Sequence, residues 1–207
     1  MVSKAGPGKI VAITGPMFSG KTSTLIALLE REMLAGRRTI LFKPKIDTRY
    51  SRSYVTTHKG VNLPATPVGT DSDGVSAMLA KSRTFQVVGV DEAQFWAEES
   101  RLAEALDRLA YSGKTVYVSM LNRDHKGDPF GSAVRILALA EQVHSLTAIC
   151  PKCGAEATFT QRVLEGKEVF GELIQIGGKE SYEPRCRACF VGPDKGGVAR
   201  PAGALDR

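Results

Sequence analysis

Gly15-Pro16-Met17-Phe18-Ser19-Gly20-Lys21-Thr22 decides how the rest of the chain is read. The octapeptide fits the pattern GxxxxGK[ST]. A short apolar run, residues 10–14, precedes it. Residues 21–34 follow with apolar side chains at helical spacing (Leu25, Leu28, Leu29, Met33), and Gly36 suits the C-cap. Strand, glycine-rich turn and helix in that order make a cradle for phosphate. The glycines let backbone N–H groups turn inward, and the helix N-terminus adds the positive end of its dipole. Lys21 is then expected to reach the β and γ phosphates of ATP, and the Thr22 hydroxyl to bind Mg²⁺. A chance glycine-rich turn is the alternative, and the flanking strand and helix argue against it.

Working outward, residues 87–90 (Val-Val-Gly-Val) form a continuous apolar run, as in a strand buried on both faces. Two carboxylates, Asp91 and Glu92, close it. At the C-terminal edge of a parallel sheet they would face the nucleotide. Asp91 is then placed to hold Mg²⁺, and Glu92 to act as general base toward a hydroxyl or water. A solvated acidic turn is the alternative for this pair taken alone. Further strands are read at residues 38–42 and 116–121, a short helix at 75–80, and an amphipathic helix marked by Leu102, Leu106 and Leu109. Such alternation predicts an α/β fold, a mostly parallel sheet flanked by helices.

The pattern changes near Cys150. Cys150 and Cys153 form one CxxC pair, Cys186 and Cys189 another, with residues 154–185 between them. Two thiolate pairs suit a closed tetrahedral site of the structural Zn²⁺ kind. Two disulfides or unrelated thiols are the alternatives, and a zinc ribbon that grips nucleic acid is another use for the segment. Residues 169–176 look strand-like. The expected organisation is therefore a core at 1–149, a small zinc-held β lobe at 150–190, and a disordered Gly-, Pro- and Ala-rich tail at 191–207.

Composition narrows the class. With 207 residues the chain holds one full-sized domain plus a small satellite. The net charge of +6 favours anionic ligands without choosing among them. No apolar run long enough to span a membrane is present, and residues 1–8 lack a signal-peptide core, so a cytosolic protein is expected. Asp47 and Arg49 stand two apart between polar stretches; spacing alone reads them as a surface ion pair.

The ordered set GPMFSGKT (15–22), DTRY (47–50), His58-x-Gly60, VDEAQF (90–95), Pro129-Phe130-Gly131, the paired CxxC knuckles, and Ile176-Gly177-Gly178 with Tyr182 resembles the zinc-containing, type II thymidine kinases. It runs in family order from about residue 9 to 190. The resemblance implies a RecA-like P-loop core with a zinc-bound lasso over the nucleoside. It implies transfer of the ATP γ-phosphate to the 5′-hydroxyl of thymidine with Mg²⁺. By the same resemblance Glu92 takes the hydroxyl proton, and Arg49, with Asp47 beside it, sits near the transferring phosphoryl. Met17, Phe95, Leu121, Phe130, Thr160 and Tyr182 would line the pocket. Backbone groups of Gln175, Ile176, Gly177 and Gly178 would meet the pyrimidine edge. Small-molecule partners, no nucleic acid, inhibition by dTTP and a homotetramer are also implied. The segment Leu121-Asn122-Arg123-Asp124-His125 departs from the family, with Asn122 in place of an acid and His125 in place of a phenylalanine; His125 is expected to stack on the nucleoside. A nucleic-acid-stimulated ATPase and a low-turnover nucleotide-binding regulator are the competing readings.

Overall fold

The computed structural model describes residues 8–47, 54–56, 62–164, 166–169 and 181–192. Arg49, the His58 segment, residues 170–180 (which include Gln175, Ile176, Gly177 and Gly178) and the tail from 193 lie outside them.

The first half runs β1 (Lys9–Thr14), α1 (Lys21–Leu34), β2 (Thr39–Pro44), β3 (Tyr54–Thr56), β4 (Asn62–Pro64), β5 (Thr66–Val68), α2 (Ser72–Lys81), β6 (Val87–Val90), α3 (Leu102–Tyr111) and β7 (Thr115–Met120). Then come α4 (Ala133–Leu139), β8 (Gln142–Ser145), β9 (Ala148–Ile149), β10 (Glu156–Ala157), β11 (Phe159–Leu164), β12 (Lys167–Glu168) and β13 (Tyr182–Arg185). Six strands build one sheet in the order β5-β2-β6-β7-β1-β8. Every pairing in it is parallel. All the C-terminal strand ends therefore share one edge, where open α/β sheets bind ligands.

Two-residue periodicity explains why the central strands are apolar throughout. In β1, Ile10 and Ala12 enter one core with Leu102, Leu106 and Ile136. Val11 and Ile13 enter the opposite core against Leu25, Ile26 and Leu29 of α1. β6 and β7 divide the same way, Val88, Val90, Val116 and Val118 on the first face, Val87 and Tyr117 on the second.

The predicted helices, and the strands read at residues 10–14, 38–42, 87–90 and 116–121, are present, several with shifted ends: α2 is longer than residues 75–80, and β2 runs to Pro44. α1 departs from its predicted face. Met33 is exposed, and Glu32 is buried in its stead. The next turn of α1 meets polar partners, since the Glu32 carboxylate accepts from Tyr117 Oη at 2.5 Å and Arg37 Nη1 at 2.7 Å. Asp47 is also buried, not at the surface, and pairs with buried Lys43 at 3.8 Å. Val169 follows β12, and the rest of the strand-like 169–176 segment lies outside the described residues.

After β8 the chain leaves the sheet for small antiparallel pieces, β9 with β10, and β11 between β12 and β13. They touch the core at a few points. The Met17 N–H donates to Thr160 Oγ1 at 3.0 Å. Arg123 lies over the Phe159 ring at 4.7 Å, and that ring stacks on Phe190 at 4.5 Å between centroids. Among the described residues no helix is long and apolar enough to cross a membrane.

Candidate active site

The loop after β1 is drawn tight by its own groups. Pro16 O accepts from Ser19 Oγ at 2.8 Å and from Lys21 Nζ at 2.7 Å. Lys21 is thus folded back over the loop and buried. Gly20, at φ 86°, is the N-cap of α1, and no side chain caps the helix. Glycine at the N-cap brings no side chain to the helix end, which suits the first-turn N–H groups to phosphate oxygens. A Cβ on Gly15 would stand 2.4 Å from Leu146 O, so the backbones of loop and β8 exit approach too closely for any other residue.

Two strands away, β6 delivers Asp91 and Glu92 to the same sheet edge. The Asp91 N–H donates to Phe42 O at 2.9 Å, continuing the pairing of β6 with β2. Its buried carboxylate accepts a short hydrogen bond from Ser119 Oγ of β7. Glu92 is half-buried and left-handed, φ 56° and ψ 42°, at the head of a single 3₁₀ turn, residues 93–95. A non-glycine residue there is strained, and such strain gathers at functional positions. Glu92 Oε2 accepts from Gln94 Nε2 at 2.5 Å, and Gln94 Oε1 accepts from the Leu121 N–H at 3.0 Å.

The segment after β7 interlocks with that turn. Asp124 Oδ1 accepts from the N–H groups of Lys126 (2.8 Å) and Asp128 (2.9 Å), closing a loop bridged at Arg123 and Pro129. Asp124 and His125 are buried in it. Phe130 meets Phe95 edge to face at 6.5 Å, and the Ser132 hydroxyl donates to Trp96 O at 2.8 Å. Of the expected pocket residues, the structure thus joins Phe95 to Phe130, Met17 to Thr160, and Leu121 to the Glu92–Gln94 pair. Tyr182 is buried on β13, opposite Arg162 of β11.

The four cysteines converge. The ligand atoms of Cys150, Cys153, Cys186 and Cys189 all lie within 4.8 Å of one another. Sulfurs about 2.3 Å from a shared tetrahedral centre would stand about 3.8 Å apart, so the set fits a metal ion. Each pair turns on a backbone knuckle, Gly154 N–H to Cys150 O at 2.8 Å and Cys189 N–H to Cys186 O at 3.1 Å. Burial pushes the Cys150 thiol up, but hydrogen bonds from the Cys186, Lys152 and Cys153 backbone and the Cys153 side chain outweigh it and bring it to about 7. Burial and the three neighbouring thiols push Cys189 up to about 12. Without a cation the cluster resists a second negative charge; a bound divalent ion would remove that resistance.

Sequence reading passed over Gln94, Ser119 and Lys43. A trace of each was visible. Gln94 stands inside VDEAQF, Ser119 interrupts the apolar TVYVSM strand, and Lys43 ends the apolar ILF run.

A glycine-rich loop between strand and helix, facing a strand-end carboxylate pair across a parallel sheet, defines a P-loop nucleotide-binding protein. Comparison with known proteins narrows this class. A family model described as thymidine kinase matches residues 8–190. The thymidine kinase of Pyrobaculum aerophilum is 45% identical over 186 residues, 89% of this chain and 99% of that protein. The thymidine kinase of Thermococcus kodakarensis is 42% identical over 192 residues, 91% of this chain and 96% of the relative. That of Mesoplasma florum is 43% identical over 187 residues, covering 88% and 91% respectively. The chain belongs to the thymidine kinase family.

Proposed function

We propose that this protein transfers the γ-phosphate of ATP to the 5′-hydroxyl of thymidine, giving dTMP and ADP. The observation that carries the reading is Glu92, a left-handed carboxylate at the sheet edge that bears the phosphate loop. As the 5′-oxygen bonds to the γ-phosphorus and the bond to the ADP oxygen breaks, Glu92 takes the hydroxyl proton. Lys21 exchanges Pro16 O for β- and γ-phosphate oxygens. Met17, Phe95, Leu121, His125, Phe130, Thr160 and Tyr182 enclose the nucleoside, completed by the backbone of residues 175–178. Excluding water there suppresses hydrolysis of ATP. Arg49 offsets charge on the transferring phosphoryl, and the Lys43–Asp47 pair anchors the chain that leads to it.

Asp91 and the Thr22 hydroxyl are the groups that would hold Mg²⁺, which neutralises phosphate charge when bound. Buried Asp91, already held by Ser119, suits a hard cation. The four cysteines would hold structural Zn²⁺, an ion that prefers four thiolates to oxygen donors. On this reading residues 1–149 are the kinase core, 150–190 the lobe over the nucleoside and 191–207 a tail. A cytoplasmic homotetramer working on small molecules rather than nucleic acid completes it.

The test is transfer from labelled ATP·Mg²⁺ to thymidine, deoxyuridine, deoxycytidine and purine deoxynucleosides, with a no-nucleoside control. Thymidine is expected to lead. Preference for another nucleoside would refute thymidine and implicate His125 and Asn122. No transfer, or ATP hydrolysis stimulated only by DNA, would refute the kinase reading.

A further inference from the structure

We infer that Gln94 is a positioning residue that keeps the Glu92 carboxylate ionised and aimed, and ties it to the end of β7. The inference rests on Glu92 being the base. Gln94 is 2% exposed, so its amide is cut off from water and its hydrogen bonds are fixed by neighbours. The orientation of that amide follows from chemistry. Leu121 offers a backbone N–H, which can only donate, so the atom facing it at 3.0 Å is the carbonyl oxygen. The NH₂ then faces Glu92 Oε2 at 2.5 Å. Reversed, the amide would set donor against donor at Leu121 and acceptor against acceptor at Glu92.

Two consequences follow. A donor aimed at a carboxylate favours its charged form, so Gln94 holds Glu92 ready to accept a proton. The same bond restricts a side chain that leaves a strained backbone position, φ 56°. Since the Leu121 N–H sets the amide, the placement of Glu92 is joined to the loop of residues 121–131. Gly131 packs closely against the backbone of the turn: a Cβ there would stand 2.4 Å from Gln94 O.

Full-length Gln94→Glu and Gln94→Met test the inference, with kcat and KM for both substrates measured from pH 5.5 to 9.5. Gln94→Glu is isosteric and leaves the Leu121 N–H an acceptor, but sets a second carboxylate against Glu92. The acid limb of its kcat profile is expected to move up by about 1–3 pH units, with activity returning toward wild type above it. Gln94→Met loses the donor without adding charge. Its plateau kcat is expected to fall about 10- to 100-fold while KM for ATP stays within about threefold. Profiles of either folded variant that superimpose on wild type would overturn the inference. So would a pH-independent loss in Gln94→Glu that tracks a lowered melting temperature, since packing alone explains that. Glu92→Gln, run in parallel, separates the two levels. If it turns over normally, the base assignment fails; if it is inactive while the Gln94 variants behave as wild type, only the role of Gln94 fails.

Discussion

Gly131→Ala tests how the turn after β6 is held. Gly131 sits at φ 50°, and a Cβ there would lie 2.4 Å from Gln94 O and 2.9 Å from Trp96 O. Both are backbone atoms and cannot swing aside. Two costs combine. The left-handed conformation costs an L-residue about 1–2 kcal/mol. Forcing backbone carbonyls apart adds about 1–3 kcal/mol, as in overpacked cores. Gly36→Ala isolates the first cost, because Gly36 has φ 76° and nothing within 4 Å of the added carbon. At about 2–4 °C per kcal/mol for a chain of this size, a loss of about 3 kcal/mol lowers Tm by about 6–12 °C for Gly131→Ala. A loss of about 1–2 kcal/mol lowers it by about 2–8 °C for Gly36→Ala. Urea unfolding of both variants gives the free energies directly. Kinase activity should fall in Gly131→Ala, since the shift reaches Gln94, and stay normal in Gly36→Ala. Equal destabilisation of the two variants would refute the close contact at Gly131.

Three further outcomes are expected. Glu92→Gln should lower kcat by about 10²- to 10⁴-fold with little change in KM for ATP, measured by coupled ADP release. The purified protein should carry one zinc per chain by atomic emission, and Cys150→Ser should lose it and expose the 150–190 segment to protease. Tyr117 is held above its usual 10.0 by burial first, then by Glu32. Folded Tyr117 thus keeps a proton that the unfolded chain releases, and stability should fall as pH rises from about 10 toward the higher folded value. In urea titrations Tyr117→Phe should flatten that decline, while costing about 1–3 kcal/mol at pH 7 by removing a donor from buried Glu32.

Much of the architecture was legible because it rests on short-range patterns. The GxxxxGK[ST] loop is set by glycine backbone freedom and one charged side chain, all within eight consecutive positions. The strand at residues 87–90 and the helix of Leu102, Leu106 and Leu109 follow from how often an apolar side chain recurs. The CxxC pairs announce a metal site because each knuckle is local and thiols are few. Those features named the class, and the ordered motifs named the family.

Tertiary structure decided what local period leaves degenerate. Both Glu32 and Met33 continue the α1 face, and only the Tyr117 hydroxyl and Arg37 guanidinium across from them buried the acid and left the methionine outside. Asp47 looked like half of a surface pair until the sheet edge placed Lys43 beside it in the interior. The bond from Met17 to Thr160 spans 143 positions, and the Gln94 amide is oriented by an N–H on a different strand end. Contacts of that kind depend on where the chain returns in space, and spacing along the chain carries no trace of it.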